Sequence, residues 1–543
     1  MDRKWRRVWV IHSCEFIHKH VLTWWFRLEW RNSVESMFEL VVPDTTDLGA
    51  LSDASLVDAA GELARGENAL CARKLAVMAE LFARRTGLTA DEREQWWIDP
   101  QAAVAAELAA AVNVSHGLAV HQTHRGVALR DRLPRVAELF DAGLISDLLV
   151  RTIVWRTYLI TDEAAMAAVD AALAERITGW GALSAKKTES EIDALVDAHD
   201  PAALRRSREA ASSPTVQFGS PADVAGTTTI YARLNSPDAA LIEQSVDASA
   251  RSVCDGDPRT MDQRRVGAFT AAFTHTALAC GCGQSDCEAG QPDATPAKNA
   301  VVYVIADEKS VDAAGEQAVN AAQADPVCST GQPVASAART SAPPAYVFGA
   351  GILPTPLLGA ISGRAKIREV RHPGPESAPE PRYTPASKTA EFVRCRDVTC
   401  RFPGCDKPAP VCDIDHTVPY PVGPTHPSNL KCLCRFHHLL KTFWQGLGGW
   451  LDRQLPDGTI VWTSPTGHTY TTYPGSRHLF PTLCQPTATL WTGEPPTVEA
   501  SGDRGVMMPK RRHTRAADIA KAIAAERRLN DPLVAERNKP PPF

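Results

Sequence analysis

The run CDIDHTVPYPVGPTHPSNLKCLCRFHHLLKT, residues 412–442, gathers four histidines, three cysteines, two aspartates and an asparagine. Just upstream, CRFPGC sets Cys400 and Cys405 at C-x4-C spacing with Pro-Gly at the turn, and Cys434 and His437 then stand as C-x2-H. Two such pairs supply the four soft or borderline ligands that a closed tetrahedral zinc site requires. The region around them is Gly/Pro-rich and too short to hold itself with a core, so loss of the metal should unfold it. Cys395, Cys412 and Cys432 are further thiols nearby, and spacing alone leaves the ligand set open.

A structural zinc has no use for Asp413, Asp415, His416, Asn429 and His438. Hydrolysis of a phosphodiester does need such parts: a cation to neutralise charge on the phosphate and the leaving oxygen, and a base for the attacking water. One carboxylate and one imidazole can hold a divalent cation with open positions. A second imidazole, which titrates near neutrality, can then take the proton. The density of the run therefore reads as a staple and a reaction centre interleaved.

The order Asp-His, Asn, His, with C-x4-C before it and LCRFHH at its end, resembles the HNH nuclease motif over about residues 393–442. The resemblance implies a ββα-metal finger. Within it Asp415 and His438 would bind the catalytic cation (Mg²⁺, Mn²⁺ or Zn²⁺) and His416 would be the general base. Asn429 would tie the loop between the strands and so orient His416, and Lys441 would stabilise the phosphate. Asp413 rivals Asp415 for the cation, with adjacency to His416 favouring Asp415. More widely, ALRDRLPRVAELFDAGLISDLLVRTIVWRT, AAVDAALAERITGW, CRFPGC, LCRFHH and ERRLNDPLVAERNKPPPF resemble the actinobacterial 13E12 repeat family from about residue 43 to 543. Such proteins join a large, mainly helical domain of unknown function (DUF222) to a C-terminal HNH module.

A second cluster, THTALACGCGQSDC, offers His275, Cys280, Cys282 and Cys287 as H-x4-C-x-C-x4-C. With glycines at its turns it can close a small zinc knuckle, although C-x-C is a tight bite and His275 can equally lie on a helix face. No acid–base partner stands beside it, so such a site would be structural.

The elements that must position these residues follow from periodicity. Residues 48–204 are Ala-rich with helical period. Within them AAVAAELAAAVNVSHGLAVHQTHRGVALRDRLP reads as two helices around a turn at Asn113 to Ser115, with Ser115 as N-cap. That outline fits a helix-turn-helix, and equally a plain helical hairpin. GTTTIYARL and NAVVYVIAD read as short strands. Two Pro/Ser/Ala-rich stretches punctuate the chain, and after the His/Cys run GGWLDRQLPDGTIVWTSPTGHTYTTYP reads as an antiparallel meander.

The expected fold class is thus a mainly α N-terminal domain with a small β element, plus a C-terminal zinc-stapled ββα-metal (HNH) finger. The expected boundaries are 1–42, a non-native or disordered extension with Met37 as the natural start; 43–365, the helical DUF222-like domain; 366–385, a linker; 386–475, the HNH module with its meander; and 476–543, a basic tail. In the last 43 residues ten Lys/Arg face five Asp/Glu, so a basic helix there could rest on a phosphate backbone.

Bulk composition narrows the function classes without choosing among them. The 543 residues carry a formal net charge of −5, so contact with phosphate must come from local patches. No apolar run is long enough to span a bilayer, and the broken apolar start at residues 1–26 makes a poor signal peptide. Of the fourteen cysteines, those in the two His/Cys clusters stand at metal-like spacings, which points to a reducing, cytoplasmic setting. The leading expectation is an HNH-type endonuclease acting on double-stranded DNA, with no membrane partner. The alternative is a catalytically inactive zinc-stapled DNA-binding or regulatory protein, and a partner-binding helical scaffold is a third reading.

Overall fold

The computed structural model describes residues 44–540 apart from 88–90, 206–214, 221–222, 224–226, 235, 288, 290–302, 315–342, 356–357, 359–365, 445–448 and 497–506. The expected N-terminal extension and Met37 lie outside the described residues. The chain divides into two compact units: one within Met1–Arg206, Leu439–Gly449 and Ser501–Phe543, the other within Ser207–His438 and Trp450–Ala500.

In the first unit the Ala-rich stretches form helices, most of them opened by a short polar side chain. The helices are α1 (Asp53–Thr86), α2 (Pro100–Val112), α3 (His116–Asp131), α4 (Pro134–Asp141), α5 (Asp147–Arg156), α6 (Glu163–Arg176) and α7 (Ala185–His199). Ser52, Asp99, Ser115, Ser146, Asp162 and Ser184 each accept a hydrogen bond from a backbone N–H in the first turn, meeting donors the helix cannot satisfy itself. The core is assembled from these helices, with α2 buried nearly all round, and includes Leu75, Met78, Phe140, Ile153, Leu173 and Val196.

The expected turn at residues 113–115 is present: Asn113 takes a left-handed conformation at φ 53°, and α2 and α3 meet at 106°. As a groove-reading element, however, α3 is poorly placed, because it buries Ala119, Thr123, Arg125, Gly126 and Leu129 within this unit. A Cβ at Gly126 would lie 2.2 Å from the Leu75 carbonyl oxygen and 3.2 Å from Ala79 Cβ, so α1 and α3 touch through bare backbone. Gly126→Ala should force them apart and lower stability by about 1–3 kcal/mol or more, as overpacking does. Denaturant unfolding followed by circular dichroism checks this, and an unchanged midpoint would contradict the close approach. No single helix among the described residues is long and apolar enough to cross a membrane.

The second unit is a set of small antiparallel sheets with helices between them. Strands β1 (Thr215–Phe218) and β2 (Ile230–Arg233) pair, followed by helices α8 (Ser236–Ala250) and α9 (Met261–Thr274). Strands β3 (Val304–Ile305), β4 (Ala345–Val347) and β5 (Gly351–Leu353) form a three-stranded sheet. Helix α10 (Ser387–Asp397) leads into the pair β6 (Asp413–His416) and β7 (Leu430–Leu433), after which α11 (Arg435–Phe443) begins. The expected meander follows as β8 (Leu451–Gln454), β9 (Ile460–Thr463) and β10 (Thr469–Thr472). It turns at Gly458 and Gly467, both with positive φ, where residues with a Cβ are strained.

Three expected boundaries are corrected. The 43–365 segment is not one unit, because after residue 206 the Ala-rich helices give way to short elements with small cores of their own. The 366–385 segment lacks helix and strand yet is not a loose linker: Glu380 N–H donates to Thr425 O at 2.9 Å, and His426 Nε2 donates to Ser377 Oγ at 2.8 Å. The basic tail is in part a docked pair of helices, α12 (Arg515–Arg527) and α13 (Asp531–Arg537), within the first unit. Arg515 pairs with Asp99 at 2.8 Å, Arg527 with Asp200 at 2.7 Å and Arg537 with Asp197 at 2.8 Å, while Ile523 packs on the helical core. Much of the positive charge that reads as a phosphate-binding face is thereby answered within the protein.

Candidate active site and metal centre

Cys400, Cys405, Cys434 and His437 bring their ligand atoms within 4.8 Å of one another. Cys434 Sγ lies 3.2 Å and Cys400 Sγ 3.6 Å from His437 Nδ1, and the Cys405 and Cys434 sulfurs are 4.0 Å apart. A tetrahedral zinc with its usual bond lengths has ligand–ligand edges of about 3.5–3.8 Å, so the group fits such an ion. Hydrogen bonds from the Cys400 and Cys405 thiols hold Cys434 far below the usual thiol range, while burial pushes Cys400 well above it. The neighbouring thiols are otherwise engaged: Cys412 donates to Pro408 O, and Cys432 lies buried against Val393 O.

Two features hold this cluster in place. His437 stacks on Phe402 at 4.0 Å with the rings 9° apart, and Phe402 meets Trp450 and Trp462 edge-on. Behind it, the fully buried Asp397 accepts from Arg396 Nε at 2.8 Å, Arg401 Nη1 at 3.0 Å and Cys432 N–H at 2.8 Å. Burial alone would raise the Asp397 pKa, but the two guanidinium groups overcome it and hold the carboxyl below its ordinary value. Arg396 donates on to Pro427 O and Leu430 O, and Arg401 to Gly458 O and Thr472 O. One carboxylate thus ties the end of α10 to β7 and, through its arginines, to the meander.

The second constellation lies on β6 and α11. Asp413 and Asp415 are two apart on a strand and so face the same way. His438 stands between them, with Nδ1 2.8 Å from Asp413 Oδ2 and Nε2 3.5 Å from Asp415 Oδ1. A carboxylate only accepts, so Nδ1 carries a proton towards Asp413, the nearer of the two acids, which orients the imidazole. Asp415 Oδ1 and His438 Nε2 face each other near the ~3.4 Å edge of a tetrahedral site with ~2.1 Å bonds. The other Asp415 oxygen accepts from buried Lys431 at 2.7 Å, and Lys431 also reaches Asp452 at 2.7 Å and Thr417 Oγ1 at 3.1 Å.

His416 ends β6 on the other side of the strand from Asp415. Its Nε2 lies 2.8 Å from Thr425 Oγ1, and that hydroxyl donates to Arg382 O at 2.5 Å. Thr425 can therefore only accept from the ring, which puts a proton on Nε2. Tyr383 stacks over the ring at 5.3 Å. Asn429 is fully buried: Oδ1 accepts from Val418 N–H at 2.8 Å, and Nδ2 donates to Val418 O and Pro424 O at 2.9 Å each. It pins the loop that joins β6 to β7 from inside. Gly423 makes room for this, since a Cβ there would lie 2.7 Å from Asn429 Nδ2. Lys441 falls in the last turn of α11, about one turn beyond His438.

The other cysteine cluster differs from its expected composition. Cys280, Cys282 and Cys287 are joined by Cys254, and all four sulfurs lie within 4.8 Å of one another, so this group too can hold a metal ion such as zinc. His275 is not part of it. It takes a left-handed conformation at φ 54° and caps α9, which leaves it outside the loops that carry the sulfurs.

Sequence reasoning missed Cys254, Lys431 and Thr425. Only Cys254 left a signal, as an unassigned thiol before a glycine turn in CDGD. The roles of Lys431 and Thr425 come from strand register and loop closure.

The profile of a family described as "Domain of unknown function (DUF222)" matches residues 62–397, ending just before Cys400. The chain is 48% identical to Uncharacterized protein MT2160 of Mycobacterium tuberculosis (strain CDC 1551 / Oshkosh) over 526 residues, 94% of each chain. It is 47% identical to Uncharacterized protein Rv3776 of Mycobacterium tuberculosis (strain ATCC 25618 / H37Rv) over 509 residues, 93% of this chain and 95% of that one. No solved structure matches the chain.

Proposed function

Because the chain belongs to the DUF222 family, whose shared domain has no assigned activity, function must be argued from its side chains, and we propose a metal-dependent HNH-type endonuclease that hydrolyses DNA phosphodiester bonds. The observation that carries this reading is the pairing of Asp415 Oδ1 with His438 Nε2 at 3.5 Å, with Asp413 orienting the imidazole from Nδ1 at 2.8 Å. The strand–strand–helix order of β6, β7 and α11 agrees with a ββα-metal finger, with the Cys400–Cys405–Cys434–His437 group as its structural zinc site.

In this reading Asp415 and His438 hold a divalent cation, which when bound neutralises charge on the phosphate and the departing oxygen. His416 accepts the proton of the attacking water, held in place by Thr425 Oγ1 at 2.8 Å from its Nε2. Asn429 keeps the loop beside His416 in one geometry. Lys441 adds positive charge for the phosphate.

The test is conversion of supercoiled plasmid with Mg²⁺, Mn²⁺ or Zn²⁺. Wild type should cut with at least one of them and stop on chelation. His438→Ala should cut at least ~10²-fold more slowly at limiting cation, since even outer partners of a metal ligand are worth about 10–100-fold. Equal cutting by the variant sinks the site. One observation favours a second reading, an inactive zinc-stapled DNA-binding protein: Lys431 already neutralises Asp415. Wild type that retards DNA in a gel but cuts with none of the three cations would establish it.

A further inference from the structure

We infer that Cys254, Cys280, Cys282 and Cys287 form a second, tetrathiolate zinc site that closes the α8–α9 hairpin inside the DUF222 domain. This inference does not depend on the nuclease reading. The four sulfurs come from two loops. One follows α8 and carries Cys254; the other follows α9 and carries the remaining three. Two disulfides would draw the sulfurs into two tight pairs. Instead all four lie within 4.8 Å of one another, with Cys254 and Cys280 at 3.5 Å, close to the ~3.8 Å edge that four ~2.3 Å Zn–S bonds require.

The loops also carry what a tetrathiolate needs around it. Four thiolates on one Zn²⁺ leave two negative charges, and the backbone N–H groups of Gly256, Cys282 and Ala289 lie near the sulfurs of Cys254, Cys280 and Cys287 respectively, where they can offset them. Gly283, at φ 73°, gives the turn just past the C-x-C bite. The two loops are set against each other by Asp257, whose buried carboxylate accepts from Gly281 N–H at 2.7 Å and from Arg259 Nη2 at 2.6 Å. Arg259 also donates to Ala279 O at 2.6 Å, and Arg264 to Asp257 O at 2.6 Å. This frame orients the cysteines but cannot replace a core. The buried apolar cluster at the hairpin consists of Ala250, Val253, Ala268 and Leu278, too little to order loops of this length without a staple. Four thiolates fill the coordination sphere, so the ion is structural.

The experiment is zinc analysis of the intact chain purified under reducing conditions, with circular dichroism as the check on folding. Wild type should carry two zinc ions, one for each four-ligand group. Cys254→Ser should lose one of them and keep the other, Cys434→Ser should lose the other, and His275→Ala should keep both. Replacing zinc by Co²⁺ in Cys434→Ser should leave an intense sulfur-to-cobalt charge-transfer band. A single zinc per chain that only Cys434→Ser removes overturns the proposal, whatever the nuclease assay shows. So does intact-protein mass spectrometry that finds Cys254 in a disulfide, or retention of both ions by Cys254→Ser.

Discussion

Replacing His416 by alanine should slow phosphodiester cleavage by about 10²–10⁴-fold while leaving DNA affinity unchanged, the loss expected when a positioned general base is removed. The split follows from placement. His416 lies at the end of β6, is not among the zinc-ligating group, and stands on the other side of the strand from Asp415. Its removal deletes a proton acceptor without touching a thiolate or the Asp415–His438 pair. Thr425→Val makes a graded companion: it keeps the imidazole but removes the oxygen that holds it in place, so cleavage should fall less than in the alanine variant. Plasmid cleavage at saturating cation beside gel retardation under the same salt reads both quantities. Equal cutting by His416→Ala and wild type would transfer the base to another group, and parallel loss of binding and cutting would make His416 a structural residue.

A different failure is expected at the thiolates. Cys434→Ser should abolish independent folding of the segment from α10 to the meander, because a structural zinc contributes about 10–16 kcal/mol of apparent binding free energy in small zinc modules. Cys434 contacts both Cys405 and His437, so its loss leaves the ion one ligand short and the coordination sphere open. Limited proteolysis should then release fragments from residues 387–472, with the helices of the first unit still protected. Asp397→Asn should approach the same outcome without touching a ligand. It leaves Arg396 and Arg401 buried beside a neutral amide, and breaking one partner of such a buried pair costs about 3–5 kcal/mol. Protease resistance in Cys434→Ser equal to that of wild type would show that Asp397 and the Phe402 aromatic stack hold the segment without metal.

Side chains whose partners are near in sequence, or whose number is fixed by chemistry, were readable before folding. Cys400, Cys405, Cys434 and His437 announce themselves because tetrahedral zinc demands four ligands and the two pairs are each locally spaced. Ser115 was readable as an N-cap for the same local reason. Adjacency to His416 favoured Asp415 over Asp413, but strand alternation gives both acids one face, and only His438, arriving from the next helix, shows how each meets a ring nitrogen. Lys431 reads as an ordinary surface charge until the register sets it opposite Asp415. Cys254 is separated from Cys280 by a whole helix, and no local spacing predicts that pairing. The arginines of α12 read as a free basic face because their acids stand hundreds of positions earlier.

That last distance has a consequence for biosynthesis. Asp200 meets Arg527 across a separation of 327 residues, and Asp99 meets Arg515 across 416. At ~5–20 residues per second, a ribosome needs on the order of 20–80 s to travel from the Asp99 codon to that of Arg515. During that interval the nascent helical bundle carries carboxylates without their counter-charges, while the intervening unit is already emerging. The N-terminal helices are thus made first and finished last, and a stalled or prematurely terminated message would yield a bundle whose seam was never closed.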